Sequence, residues 1–197
     1  MNLRKVRSRA IHYIQYLIFL VVCFFVNLIP FHLALKLGRW GGRLLFYLLP
    51  RYRKVALENL EFAFGNEKSK TEIKKIAIES FENLGLFGVE LIRIPKMGQR
   101  VRDYVVIQNE ENIFRALEAG RGAVIIVSHF GNWEWMAAIS GLRMREAGIK
   151  IYAVARRLGN PFLYRYVVEK LRGATGLKTV DKKGAAREVV KLLEQNA

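Results

Sequence analysis

Residues 11–29 read IHYIQYLIFLVVCFFVNLI and contain no Asp, Glu, Lys or Arg. As a helix, 19 such residues span about 28 Å, close to the hydrocarbon thickness of a bilayer. This run sets the terms for the rest of the chain, which must accommodate a membrane-anchoring or transmembrane helix at its start. A secretory signal has a shorter apolar core and a small-residue cleavage site. Here Pro30 and Phe31 follow the run, so cleavage is not expected.

Charge supports a membrane surface. The chain carries 33 Lys/Arg against 17 Asp/Glu, a net +16. Residues 1–60 hold ten basic residues and the single acid Glu58, which is +9. The basic excess is thus densest beside the apolar run, as an anionic lipid surface favours. No zinc finger, aromatic RNA-binding motif or basic recognition helix is present, so no nucleic-acid partner is expected. Four positive residues precede the run (Arg4, Lys5, Arg7, Arg9) and several follow it, so the charge rule for orientation has little asymmetry to act on. The lone Cys23 excludes a disulfide framework and any multi-cysteine metal site.

The next stretch, FHLALKLGRWGGRLLFYLLP, carries Lys36, Arg39 and Arg43 at spacings of three and four. On a helix these share a face, which predicts an interfacial helix with its basic groups toward lipid headgroups. RYRKVALENLEFAFG predicts a helix ending near Gly65. Ser69 and Glu72 form a capping box for another, running toward Leu91 or Ile92 and closed by Pro95.

From residue 104 the period changes. YVVIQ (104–108), GAVIIV (122–127), IKIYAVA (149–155) and LKTV (177–180) predict strands. Between and after them lie four helical segments, with Asn109 and Asn160 as N-caps and Gly120 and Gly173 as stops. The expected fold is α/β: an N-terminal membrane helix and interfacial helices, then a mostly parallel sheet with helices on its faces. The divisions are a basic tail (1–10), an anchoring or transmembrane helix (11–29), a helical membrane-proximal region (30–98) and an α/β core (99–197).

In this class, sites form beyond the carboxyl ends of the strands. SHFGNWEW (128–135) holds that place after GAVIIV. His129 and Glu134 are five apart, about 140° round a regular helix. They meet only with the His on a loop and the Glu in the first helical turn, which Gly131 and Asn132 permit. An imidazole can take a proton from a hydroxyl, and a carboxylate can steady the imidazolium that results. The nucleophile elbow G-x-S-x-G is absent, so the nucleophile can be the substrate's own hydroxyl, with His129 as base. The zinc spacing H-E-x-x-H is also absent, and His12 and His32 are poor further ligands. Neither a metal nor a cofactor is expected.

The block V-S-H-F-G-N-W-E at 127–134 resembles the first signature of the bacterial lipid A biosynthesis acyltransferases, the late lauroyl/myristoyl transferases. These belong to the wider lysophospholipid and glycerol-phosphate acyltransferases. A-R-R-L-G-N-P at 155–161 resembles that family's arginine followed by Asn-Pro, with Arg157 where proline is common. R-G-A-T-G at 172–176 resembles its later basic, glycine-containing segment. The apolar anchor and R-K-V-A-L-E-N-L at 53–60 also fit.

The resemblance implies a membrane-anchored enzyme of the bacterial inner membrane with its catalytic part on the cytoplasmic side. The donor carrier is acyl-carrier protein and the acceptor a phosphorylated, Kdo-modified lipid A precursor. His129 is the general base and Glu134 its partner. Arg156, Asn132 and Arg172 are expected to bind substrate, Asn132 equally to shape the turn. Members usually continue for roughly another hundred residues, so the core is expected to be incomplete at its C-terminal side, with an open sheet edge. Acylation of another lipid, such as a mannosylated phosphatidylinositol or a lysophospholipid, is an alternative. So is a catalytically silent membrane-binding protein.

Overall fold

Side-chain capping fixes three of the described helix starts, at Ser69, Asn132 and Asn160. In a computed structural model that describes residues 3–194, eight α-helices accompany a two-stranded parallel sheet. The first residues of the basic tail, and Gln195 at the expected end of the last helix, lie outside the described residues. The helices are α1 (Leu3–Leu28), α2 (Phe31–Leu48), α3 (Pro50–Phe64), α4 (Lys70–Met97), α5 (Glu111–Leu117), α6 (Trp133–Glu146), α7 (Pro161–Tyr166) and α8 (Ala185–Leu193). The strands are β1 (Tyr152–Ala155) and β2 (Lys178–Asp181). Phe24–Ile92 forms one compact unit; the residues before and after it form another.

In the Phe24–Ile92 unit, the capping box forms as read. The Ser69 amide donates to Glu72 Oε2 at 2.8 Å, and the Glu72 amide donates to Ser69 Oγ at 3.3 Å. The Ser69 hydroxyl also donates to Glu72 Oε2 at 2.7 Å, and this bond, then the amide's, holds the exposed Glu72 carboxyl below its usual range. The packing of α2 on α4 rests on glycines. A Cβ at Gly38 lies 2.7 Å from Val89 Cγ2 and 2.8 Å from the Gly85 carbonyl oxygen. One at Gly42 meets the Phe81 carbonyl, and one at Gly85 meets that of Gly38. Small residues four apart on α2 thus let two backbones touch, and Phe46 packs edge-on against Phe81 with centroids 5.4 Å apart. Arg43, expected to face lipid headgroups, donates to Glu82 at 2.6 Å and keeps half of its side chain exposed. Lys36 and Arg39 are exposed. Pro95 does not close α4, which runs on to Met97. It stands in the last turn, where a missing N–H removes one bond and leaves the rest of the helix intact.

In the other unit, α6 is the central helix, buried on most of its circumference through Glu134, Trp135, Ala138, Ile139, Gly141, Leu142 and Met144. The chain's α/β character lies here. β1 and β2 pair in parallel with Tyr152 opposite Lys178 and Ala155 opposite Asp181, and α7 lies between them in sequence. The two earlier strand expectations are corrected. Residues 104–108 and 122–127 make no ladder, and Val106, Val124 and Ile126 are exposed. Their composition favours extended backbone, but a strand also needs a neighbour's free edge, which composition does not report. Asn109 is likewise not the cap of α5. It takes a left-handed φ of 57°, which Asn tolerates, and Glu110 is the cap.

Two adjacent glycines test the helix contact. Gly42→Ala should destabilise the chain by about 1–3 kcal/mol, since backbone rather than a flexible side chain opposes the new methyl. A Cβ at Gly41 meets nothing within 4 Å. Gly41→Ala should therefore stabilise by up to about 1 kcal/mol through helix propensity. Paired urea denaturation curves should move in opposite directions; equal shifts would contradict the close approach of α2 and α4.

Candidate active site

The site is assembled on the N-terminal turn of α6. Gly131 has φ of 65°, the left-handed backbone that turns the chain before the helix. Asn132 caps α6: its Oδ1 accepts from the Glu134 amide at 3.1 Å and the Trp135 amide at 3.0 Å. Of the two roles open to Asn132, the structure displays the turn role. Glu134 therefore sits in the first helical turn, where the helix dipole favours a negative charge. His129 stands on the preceding loop. This is the loop-and-turn arrangement that a spacing of five demands.

The environments of the two residues differ sharply. Glu134 is 4% exposed. Its carboxylate is held by Arg172, whose Nε donates to Oε2 at 2.9 Å while the terminal nitrogen donates to Oε1. His129 is exposed, with its ring 4.9 Å from that of Trp133, and has no hydrogen bond among the described residues. The structure thus brings Glu134 together with Arg172 rather than with His129.

Arg172 arrives by an irregular route. It ends a π-helical turn, Val167–Arg172, that continues α7. π-turns inside α-helices are uncommon and often occur at functional sites. Leu171 anchors this turn at 1% exposure. The following segment presses on α6 at Gly141, where a Cβ lies 2.9 Å from the Thr175 carbonyl oxygen. That approach keeps the turn beside α6. The hydrogen bonds to Glu134, outweighing the desolvation of the guanidinium, raise the Arg172 pKa above its usual range. The guanidinium therefore keeps its charge at any working pH.

The remaining predicted residue, Arg156, follows β1 at its carboxyl end and is exposed. Its neighbour Arg157 is engaged by Asp181, the last residue of β2, and stacks over the Tyr164 ring at 6.0 Å. The fork between Glu134 and Arg172 was missed in the sequence, because its members lie 38 residues apart with no local pattern linking them. Asn160 caps α7 as read, accepting from the Phe162 amide at 3.0 Å. Its second engagement, Nδ2 donating to the His12 carbonyl at 2.8 Å, carried no sequence signal.

A family model described as bacterial lipid A biosynthesis acyltransferase matches residues 2–197. A phosphatidylinositol mannoside acyltransferase of Mycolicibacterium smegmatis is 30% identical over 107 residues, which are 54% of this chain and 34% of that protein. The matched part therefore spans about a third of the relative's length. No solved structure matches the chain.

The ion pair can be weighed by a double-mutant cycle. Arg172→Met leaves a buried carboxylate without its partner and should cost about 3–5 kcal/mol in urea denaturation. Adding Glu134→Gln should recover a large part of that loss. Strictly additive effects would show that the two side chains do not depend on each other.

Proposed function

The chain belongs to the bacterial lipid A biosynthesis acyltransferase family, and from that membership we propose that it is an O-acyltransferase of the bacterial inner membrane. It moves a fatty acyl chain from acyl-carrier protein to a hydroxyl of a phosphorylated lipid A precursor on the cytoplasmic side. The observation that carries the reading is the contrast at the start of α6. An exposed imidazole, free of hydrogen bonds among the described residues, stands five residues before a buried, charge-compensated carboxylate.

The proposed chemistry follows from those two environments. His129 takes the proton of the acceptor hydroxyl as its oxygen attacks the thioester carbonyl carbon. The C–S bond then breaks, and the proton passes from the imidazolium to the departing carrier thiolate. In the proposed reaction Glu134 is the negative charge that answers the imidazolium developing on His129. With Arg172 holding both carboxylate oxygens, Glu134 acts as a fixed charge and not as a second base. Geometry of this kind commonly tightens only when substrate is bound. Arg156, with no ion pair among the described residues, is the side chain available for a phosphate or the developing oxyanion. The net charge of +16 suits both an acidic carrier protein and an anionic lipid.

The similarity to a phosphatidylinositol mannoside acyltransferase supports a second acceptor class, a mannosylated phosphatidylinositol. Both acceptors are anionic glycolipids bearing hydroxyls, so the same base serves either.

Membranes bearing the chain, given labelled acyl-carrier-protein donor and either acceptor, should form acylated lipid. His129→Ala should lower the rate on the order of 10²–10⁴-fold. Arg156→Ala should raise KM for the phosphorylated acceptor while leaving the chain folded. Transfer that survives in His129→Ala would remove the imidazole from the mechanism. Binding to vesicles without transfer by the wild-type chain would favour a silent membrane-binding protein.

A further inference from the structure

Arg9–Leu28 of α1 is long and apolar enough to cross a membrane. Its contacts describe a different posture. Asn160 Nδ2 donates to the His12 carbonyl at 2.8 Å and to Gln15 Oε1 at 3.1 Å. Tyr16 stacks on Phe162 at 6.0 Å, and Phe19 meets Tyr166 edge-on at 5.8 Å. Cys23 is buried and in hydrogen-bond contact with Tyr166. His12, Tyr16, Phe19 and Cys23 recur every three or four residues, so one continuous face of α1 is docked along α7 and the turn after it. The docked stretch is about 16 Å of helix, more than half the hydrocarbon thickness.

An upright α1 would carry α7 into the hydrocarbon with it. Together α7 and the turn after it bear Arg165 and Glu169, paired at 3.0 Å, and Lys170, all exposed. Charged side chains facing lipid at that depth are strongly disfavoured. The other side of α1 is quite different. Ile11, Ile14, Ile18 and Val21 lie roughly 150° round the helix from the docked face. They are 46%, 56%, 60% and 54% exposed.

We propose that α1 does not cross the bilayer but lies in the plane of an anionic membrane surface. Its Ile11/Ile14/Ile18/Val21 stripe enters the headgroup–acyl boundary, while Asn160, Phe162 and Tyr166 clamp the opposite face to the α/β unit. Charge selects a lipid surface as the occupant. Residues 1–60 carry a net +9 in the sequence around this stripe, complementary to anionic lipid and repulsive toward a second copy. The inference rests on the membrane association proposed above and specifies its mode: one leaflet, side-on, with the catalytic unit held at the surface.

Depth measurements test it on the 197-residue chain in vesicles of phosphatidylethanolamine and phosphatidylglycerol. Ile11→Cys, Ile14→Cys, Ile18→Cys and Val21→Cys each receive a nitroxide label. Cys23 is retained, since its thiol is buried, and the unlabelled wild type serves as control. Oxygen and nickel-chelate collision rates give the depth of each label. The expected result is one shared shallow depth at all four positions. A depth that increases steadily along the four, reaching mid-bilayer near residue 18 or 21, would overturn the in-plane posture alone. Failure to bind the vesicles would overturn both the posture and the membrane association. Spin–spin broadening between chains in detergent would assign the stripe to a second copy and also overturn the proposal.

Discussion

The buried Glu134 carboxylate constrains everything around it. A charge at 4% exposure is tolerable only with a partner of opposite sign and satisfied hydrogen bonds. Arg172 supplies these by a two-point fork, and the N-terminal dipole of α6 adds to them. The fork requires the turn after α7 to lie against α6, and Gly141 permits the approach. It also requires α6 to begin where it does, which Asn132 secures. Cap, glycine contact and π-helical turn all serve one carboxylate. Burying a lone ion pair is seldom a good route to stability, so this carboxylate is held in place at a cost that the surrounding contacts must offset.

Much of this was legible in residue order because it is local. Asn132, Asn160 and the Ser69–Glu72 box each act within three residues, so their roles can be read from the string. The loop-and-turn placement of His129 and Glu134 was read from their spacing and from Gly131-Asn132 on the premise that the two side chains meet; the placement is present, and Glu134 meets Arg172. Long-range pairings were not legible. Nothing near Arg172 announces Glu134, and nothing near Arg43 announces Glu82, 39 residues on. The basic face of α2 shows the same limit: a periodic pattern identifies a face without identifying what lies on it, and Arg43 has Glu82 there while Lys36 and Arg39 stay exposed. The same limit explains residues 104–108 and 122–127: β-branched residues signal extended backbone, and pairing depends on an edge elsewhere.

The glycines of α2 are a related case. Gly38, Gly41 and Gly42 are residues that weaken an isolated helix. Two of them instead bring α2 and α4 to backbone contact, where no other residue fits. Gly41, one residue away, meets nothing. Identical residues in one helix thus have opposite energetic meaning, decided by the neighbour and not by propensity.

The arginines of the α/β unit extend the point to function. Arg102 is paired with Glu146, Arg143 with Glu110, Arg157 with Asp181, Arg165 with Glu169 and Arg172 with Glu134. Each of these has its charge answered within the fold. Arg156 comes between β1 and the paired Arg157 and has no such answer among the described residues. In an α/β fold, the carboxyl end of a strand is where ligands gather. Arg115, Arg121, Arg145 and Arg187 of the same unit also have no ion pair among the described residues, so it is the place of Arg156 at the end of β1, and not its lack of a partner, that supports the proposed contact with an anionic group. In the proposed reaction the exposed imidazole would move a proton, the compensated carboxylate would hold a fixed negative charge, and Arg156 would meet an anionic group.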